Sequence, residues 1–118
     1  MSKGRNLGEC EMLALAALVR LGPDAYGVTV RSEIETRAKR TVSIGALYAT
    51  LTRLEEKGLI ASRLGEATAQ RGGRAKRHFE ITALGRRTLE RSVAALGAVL
   101  GGAFVADRPA GGPGRRNS

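Results

Sequence analysis

The sequence predicts a mainly α-helical domain carrying one two-stranded β wing, on three observations. Val42 to Gly58 repeats apolar residues at helical spacing between a clear start and a clear stop. Immediately after Gly58 the apolar period shortens from about 3.6 to 2, pauses at paired glycines and resumes, as a hairpin would. Leu89, Val93, Leu96 and Leu100 then follow at intervals of 4, 3 and 4, the rhythm of a helix seam.

Length and charge bound the rest. The 118 residues are enough for one core but not for two. Twenty Lys and Arg against 11 Asp and Glu leave a formal charge of +9, an imbalance suited to a polyanion, although ribosomal proteins share it. Cys10 is the single cysteine and His78 the single histidine, so the chain forms no internal disulfide and assembles no multi-histidine or cysteine zinc site. A reduced, cytoplasmic setting fits. The N-terminus lacks the apolar stretch and cleavage site of a secretory signal. Ser92 to Ala106 is uncharged but shorter than the ~20 residues of a spanning helix, and it contains three glycines, so it is read as an interface, with a membrane anchor the remote alternative.

Leu7 to Leu21 forms the first helix. Its apolar residues are not confined to a narrow stripe, so it needs cover on more than one side. Two covers stay open: a central core position, or a core position that also meets a second subunit through Leu13 and Leu18. Cys10, near its start, is read as a small apolar residue, with a thiol sensor as the alternative. Gly22-Pro23-Asp24 breaks the helix. A second helix runs from about Ala25 to about Lys39, with Tyr26, Val30 and Ile34 inward, Glu33 and Arg37 spaced for an i,i+4 pair, and Arg31 outward. Thr41 and Val42 make the tight connection that turns the second and third helices into a helix-turn-helix.

The third helix is the one the chain is organised around. Ser43 is its N-cap, with Val42 before it placed to staple onto Leu47. Ile44, Leu47, Leu51 and Leu54 form its apolar stripe, and Lys57 with Gly58 ends it. The opposite face carries Gly45, Ala46, Ala49, Thr52, Arg53 and Glu56, mostly small residues that allow a close approach to something flat. Arg53 suits bidentate contact with guanine, and Thr52 or Ala49 a thymine methyl. A surface pair with Glu56 is the other use open to Arg53.

Leu59 to Leu64 is then a strand, Gly65 to Gly73 a mobile polar loop, and Arg74 to Ile81 the returning strand, with Phe79 and Ile81 on one face. Arg71, Gly72, Gly73, Arg74, Lys76 and Arg77 make this wing basic, and its position directly after a helix-turn-helix favours phosphate contact over a merely solvated hairpin. His78, in the basic strand, is expected to face solvent or DNA. Thr82 caps a last helix from about Ala83 to about Leu100, whose seam of Leu89, Val93, Leu96 and Leu100 is most simply covered by a second copy. The organisation is therefore 1–81 as a winged helix-turn-helix, 82–105 as a C-terminal dimerisation helix, and 106–118 as a disordered basic tail.

Four stretches in this order, LGECEMLALAALVRLG, AYGVTVRSEIE, VSIGALYATLTRLEEKGLI and GGRAKRHFEITALGRR, resemble a PadR-family transcriptional regulator over Leu7 to Leu89. The resemblance implies an N-terminal winged helix-turn-helix, a C-terminal dimerising helix, and repression of a nearby operon relieved by a small molecule or stress. It makes the Ser43 helix the recognition helix and matches Tyr48 to a family tyrosine that contacts the DNA backbone. Partial core packing with a wet hydroxyl is the other role open to Tyr48. The single short C-terminal helix fits the small subgroup of the family. With no Trp in the chain, the tryptophan pair that sandwiches flat drugs in some small members has no counterpart.

The expected function is sequence-specific binding of double-stranded DNA as a homodimer, at a palindromic operator. A small apolar or aromatic effector at the dimer interface is the expected release signal. A winged-helix module that docks proteins without reading DNA is the alternative. RNA binding lacks an aromatic stacking platform. No enzyme is expected: the serines lack a nucleophile-elbow context, His78 lacks a partner, and RGGR is not a phosphate loop. No cofactor or metal is expected.

Overall fold

The computed structural model describes residues 7–65 and 76–103. Within them the order is α1 (Glu9–Leu21), a 3₁₀ turn (Gly22–Asp24), α2 (Gly27–Ala38), α3 (Ile44–Glu56), β1 (Ile60–Leu64), β2 (Arg77–Ile81) and α4 (Ala83–Leu100). Arg71, Gly72, Gly73 and Arg74 of the wing, and the tail, lie outside the described residues.

The core sits where α1, α2, α3 and one face of the hairpin meet. Leu15 and Leu18 of α1, Val30 and Ile34 of α2, Leu47, Leu51 and Leu54 of α3, and Leu59, Ile60 and Phe79 are all buried there. Each such side chain contributes about 1.5–3 kcal/mol by leaving water. α1 occupies the centre, which explains why its apolar residues spread around the helix. Three expectations for this part need correction. Leu18 is spent inside the protomer, at 3% exposure, and offers nothing to a second subunit. Cys10 is exposed and does not act as a core residue. Ile44 is 43% exposed and Thr50 takes its place, so the buried set on α3 is Leu47, Thr50, Leu51 and Leu54; cover over the stripe ends at Leu47.

α2 begins later than the sequence suggested, because Ala25 and Tyr26 are extended and lie along β2. The Phe79 amide donates to the Ala25 carbonyl at 2.8 Å, and Tyr26 bridges to His78. Tyr26 is therefore the extended N-cap of α2, not part of its inward stripe, and its amide donates to Thr29 Oγ1 at 3.0 Å. At the other end Lys39 adopts φ 58°, a left-handed cap that usually falls to glycine. The turn into α3 is then held by Glu35, whose carboxylate accepts the Val42 amide at 3.0 Å. Ser43 Oγ accepts the Ala46 amide at 3.1 Å and starts α3. Gly58, at φ 78°, ends it and lets the Leu59 amide turn back to the Leu54 carbonyl.

β1 and β2 are antiparallel, with Ile60 opposite Ile81 and Ser62 opposite Phe79, so Phe79 and Ile81 share the core-facing side. α4 is docked at its start. The Thr82 amide donates to the Leu59 carbonyl at 3.0 Å, the Thr82 hydroxyl donates to the Gly58 carbonyl at 2.8 Å, and the same hydroxyl accepts the Gly85 amide at 3.0 Å. Gly85 and Thr88 are buried and Leu89 packs against the core. Beyond them α4 leaves the body, and Val93 and Leu96 are each 55% exposed and Val99 86%.

Candidate nucleic-acid interface

α3 presents a continuous exposed face of Ser43, Gly45, Ala46, Ala49, Thr52 and Arg53. Because Leu47, Thr50, Leu51 and Leu54 point inward at helical spacing, the small residues between them must point out. Tyr48 borders this face at 40% exposure. Its ring tilts against Phe79 with centroids 6.3 Å apart, and its hydroxyl lies over Gly27, only 2.1 Å from where a Cβ there would stand. Of the two roles the sequence left open for Tyr48, partial packing is the one seen here: the ring meets Phe79 and the hydroxyl lies above the first residue of α2.

Three further cations lie on α2 and on the hairpin. Arg31 faces Glu35 across the helix surface at 3.4 Å and stays 41% exposed. Lys76 lies over the Tyr26 ring, its Nζ 4.3 Å from the centroid and 3.3 Å from the Tyr26 hydroxyl. Arg77 is exposed and donates to Ser62 Oγ at 2.9 Å. These contacts orient the three side chains, Arg31 through an ion pair and Lys76 and Arg77 through neutral oxygens. Arg37 pairs with Glu33 as its spacing predicted, and Arg20 joins the same carboxylate at 3.1 Å. Two other readings change. His78 is half-buried, packed edge-on to Tyr26, and its Nδ1 is buried with no hydrogen-bond partner among the described residues. Arg53 does not pair with Glu56. It reaches instead to Glu11 of α1 at 3.7 Å and donates to Thr50 Oγ1 at 3.2 Å.

Glu11 and Gly27 are the residues that sequence reasoning missed. Glu11 is a buried carboxylate that accepts the Gly8 amide at 2.9 Å and Lys57 Nζ at 2.9 Å. Burial pushes its carboxyl up, but the Lys57 and Gly8 hydrogen bonds and the charges of Lys57 and Arg53 outweigh that and hold it below the usual 4.5. The only signal was an acidic residue early in an apolar helix. Glu35 is held low chiefly by the Val42 amide, against some desolvation, with Arg31 helping.

A cavity of about 570 Å³ lies within one protomer, between Leu18, Val19 and Pro23 on one side and Ala61, His78 and Arg86 on the other. Among the described residues no three of His, Cys, Asp and Glu are grouped to hold a metal ion, and no helix is long and apolar enough to cross a membrane.

The sequence model of a family described as the transcriptional regulator PadR-like family matches residues 15–91. No curated protein matches the chain. Several solved structures are similar in fold. A PadR family transcription regulator from Clostridium difficile is 23% identical with a TM-score of 0.65, over 79% of this chain and 95% of that one. A PadR-like transcription factor from Bacteroides fragilis is 25% identical with a TM-score of 0.62, over 76% and 84%. Bacillus subtilis PadR, solved in complex with operator DNA, is 19% identical with a TM-score of 0.62, over 75% of this chain and 48% of that one.

Proposed function

Since this chain belongs to the PadR-like family of transcriptional regulators, we propose that it is a repressor that reads double-stranded DNA as a homodimer. The observation that carries this reading is the exposed strip of small residues along α3, bordered by Tyr48, whose hydroxyl lies over the first residue of α2. A major groove admits a helix whose surface side chains are short enough for the backbone to approach base edges. In this reading Ser43, Gly45, Ala46, Ala49 and Thr52 enter the groove, Arg53 contacts guanine, and Tyr48, Arg31, Lys76, Arg77 and the wing segment Arg71 to Arg74 hold phosphates. Residues 1–81 read the duplex and 82–105 pair the subunits.

Val93, Leu96 and Val99 on the free half of α4, with Leu100 and the half-buried Leu13 and Leu89, supply the dimer contact. The two α3 helices then enter successive major grooves about 34 Å apart on a palindromic operator. An apolar or aromatic effector between the subunits releases the DNA by favouring an arrangement in which those helices no longer match the grooves.

The test is selection of bound duplexes from a random pool by the full chain, followed by fluorescence anisotropy. The selected sequence should contain inverted repeats, and binding should fall steeply with salt. Arg53→Ala should narrow the preference for selected over random duplex, whereas Arg77→Ala should weaken both alike. A pool that shows no enrichment refutes the reading and leaves a protein-docking winged helix in its place.

A further inference from the structure

We propose that Glu11, on α1 and outside the DNA-facing surface, is a positioning residue for duplex reading, acting by holding the Arg53 guanidinium in place. This rests on the reading of α3 as the helix that enters the groove.

The geometry is that of a buttress. Glu11 Oε1 is committed to the Gly8 amide, and Oε2 faces both Lys57 Nζ at 2.9 Å and Arg53 Nε at 3.7 Å. The Glu11 side chain is 8% exposed and that of Arg53 53%, so the anchor is interior while the anchored group reaches the surface. A second tether holds the same guanidinium: buried Thr50 accepts from Nη2 at 3.2 Å. Nε is thus turned to the protein while Nη1 and the second Nη2 proton remain for an outside acceptor pair.

An arginine free on a helix surface loses much rotamer entropy when it binds, and it serves any nearby phosphate as readily as a base edge. One held in plane is prepared for the paired acceptors of guanine. Charge neutralisation does not require this arrangement, because Lys57 alone balances Glu11.

The experiment is a double-mutant cycle on the full chain, reading the ratio of dissociation constants for a wild-type-selected duplex and a random one. Glu11→Gln keeps the shape and loses the charge. Glu11→Gln and Arg53→Ala should each narrow the ratio by about tenfold, the order of one bidentate base contact. In the Arg53→Ala background Glu11→Gln should change it by less than about twofold, since nothing remains to be positioned. Thermal melting checks folding of each variant. If Glu11→Gln does not fold, Thr50→Val removes the second tether and should narrow the ratio in the same direction.

An unchanged ratio in Glu11→Gln, or in Thr50→Val where that variant stands in, overturns the proposal. So does an unchanged ratio in Arg53→Ala, and so do effects that add in the double variant, which mark Glu11 as structural. A wild type without preference for any duplex overturns the DNA-reading assignment itself, on a readout that needs no variant.

Discussion

Gly85 is where the path of α4 is decided, and Gly85→Ala tests that directly. A Cβ at Gly85 would stand 2.0 Å from the Leu59 carbonyl oxygen and 2.9 Å from Ile81 Cγ1, well inside the 3.0 Å that Cβ atoms essentially never breach. The obstacle is backbone, so no side chain can swing aside, and α4 must move by about 1 Å from the hairpin base. That movement strains the bond from the Thr82 amide to Leu59 (3.0 Å), whose loss costs about 0.5–1.5 kcal/mol. Overpacking adds about 1–3 kcal/mol, and the better helix propensity of alanine returns at most about 1 kcal/mol. The net expectation is a loss of about 1–3 kcal/mol, or a fall in Tm on the order of 10 °C for a domain of this size. Gly45→Ala on the exposed face of α3 is the control: nothing lies within 4 Å of its Cβ position, so propensity alone acts and Tm of the free protein should hold or rise by a few degrees. Thermal unfolding followed by circular dichroism at 222 nm measures both. A Gly85→Ala protein that melts at or above the wild-type temperature would refute the claim that this contact sets the helix.

Gly27→Ala places a methyl at the Tyr48 hydroxyl, 2.1 Å away, and should swing the ring outward at a cost of about 1 kcal/mol or less. With no Trp in the chain, stronger iodide quenching of tyrosine fluorescence reports the movement. Lys39→Gly relieves a left-handed residue at φ 58° and should raise stability by roughly 0.5–1 kcal/mol in urea titration; a loss would mean that the lysine side chain makes up for its backbone. The carboxyls of Glu11 and Glu35 are lower in the folded chain than their ordinary 4.5, so the stability they contribute is present above pH 4.5 and is lost as pH falls through the folded values. The gap in urea midpoint between wild type and Glu11→Gln should therefore be constant from pH 7 to 5 and narrow below 4.5; a gap that widens on acidification contradicts the assignment.

What the sequence determined by itself was local. Helical spacing in 43–58, the Ser43 and Thr82 caps, the change to period 2 after Gly58 and the seam in α4 each depend on a few neighbouring residues, and the elements appear where those signals put them. The faces of α3 followed from the same spacing except at Ile44, which is exposed, and Thr50, which is buried. Tertiary structure decided what depends on elements far apart in the chain. Tyr26 left the helix because β2 offered its edge, 54 residues on, to the Ala25 carbonyl, and no local pattern encodes that competition. Arg53 turned from its helical neighbour Glu56 to Glu11 on α1 because a carboxylate shielded from water attracts a cation more strongly than one in solvent. Gly85 and Gly27 read as ordinary helix glycines until the Leu59 carbonyl and the Tyr48 hydroxyl are brought against them. Periodicity records which side of an element faces inward; which atom meets it there is fixed only once the elements pack.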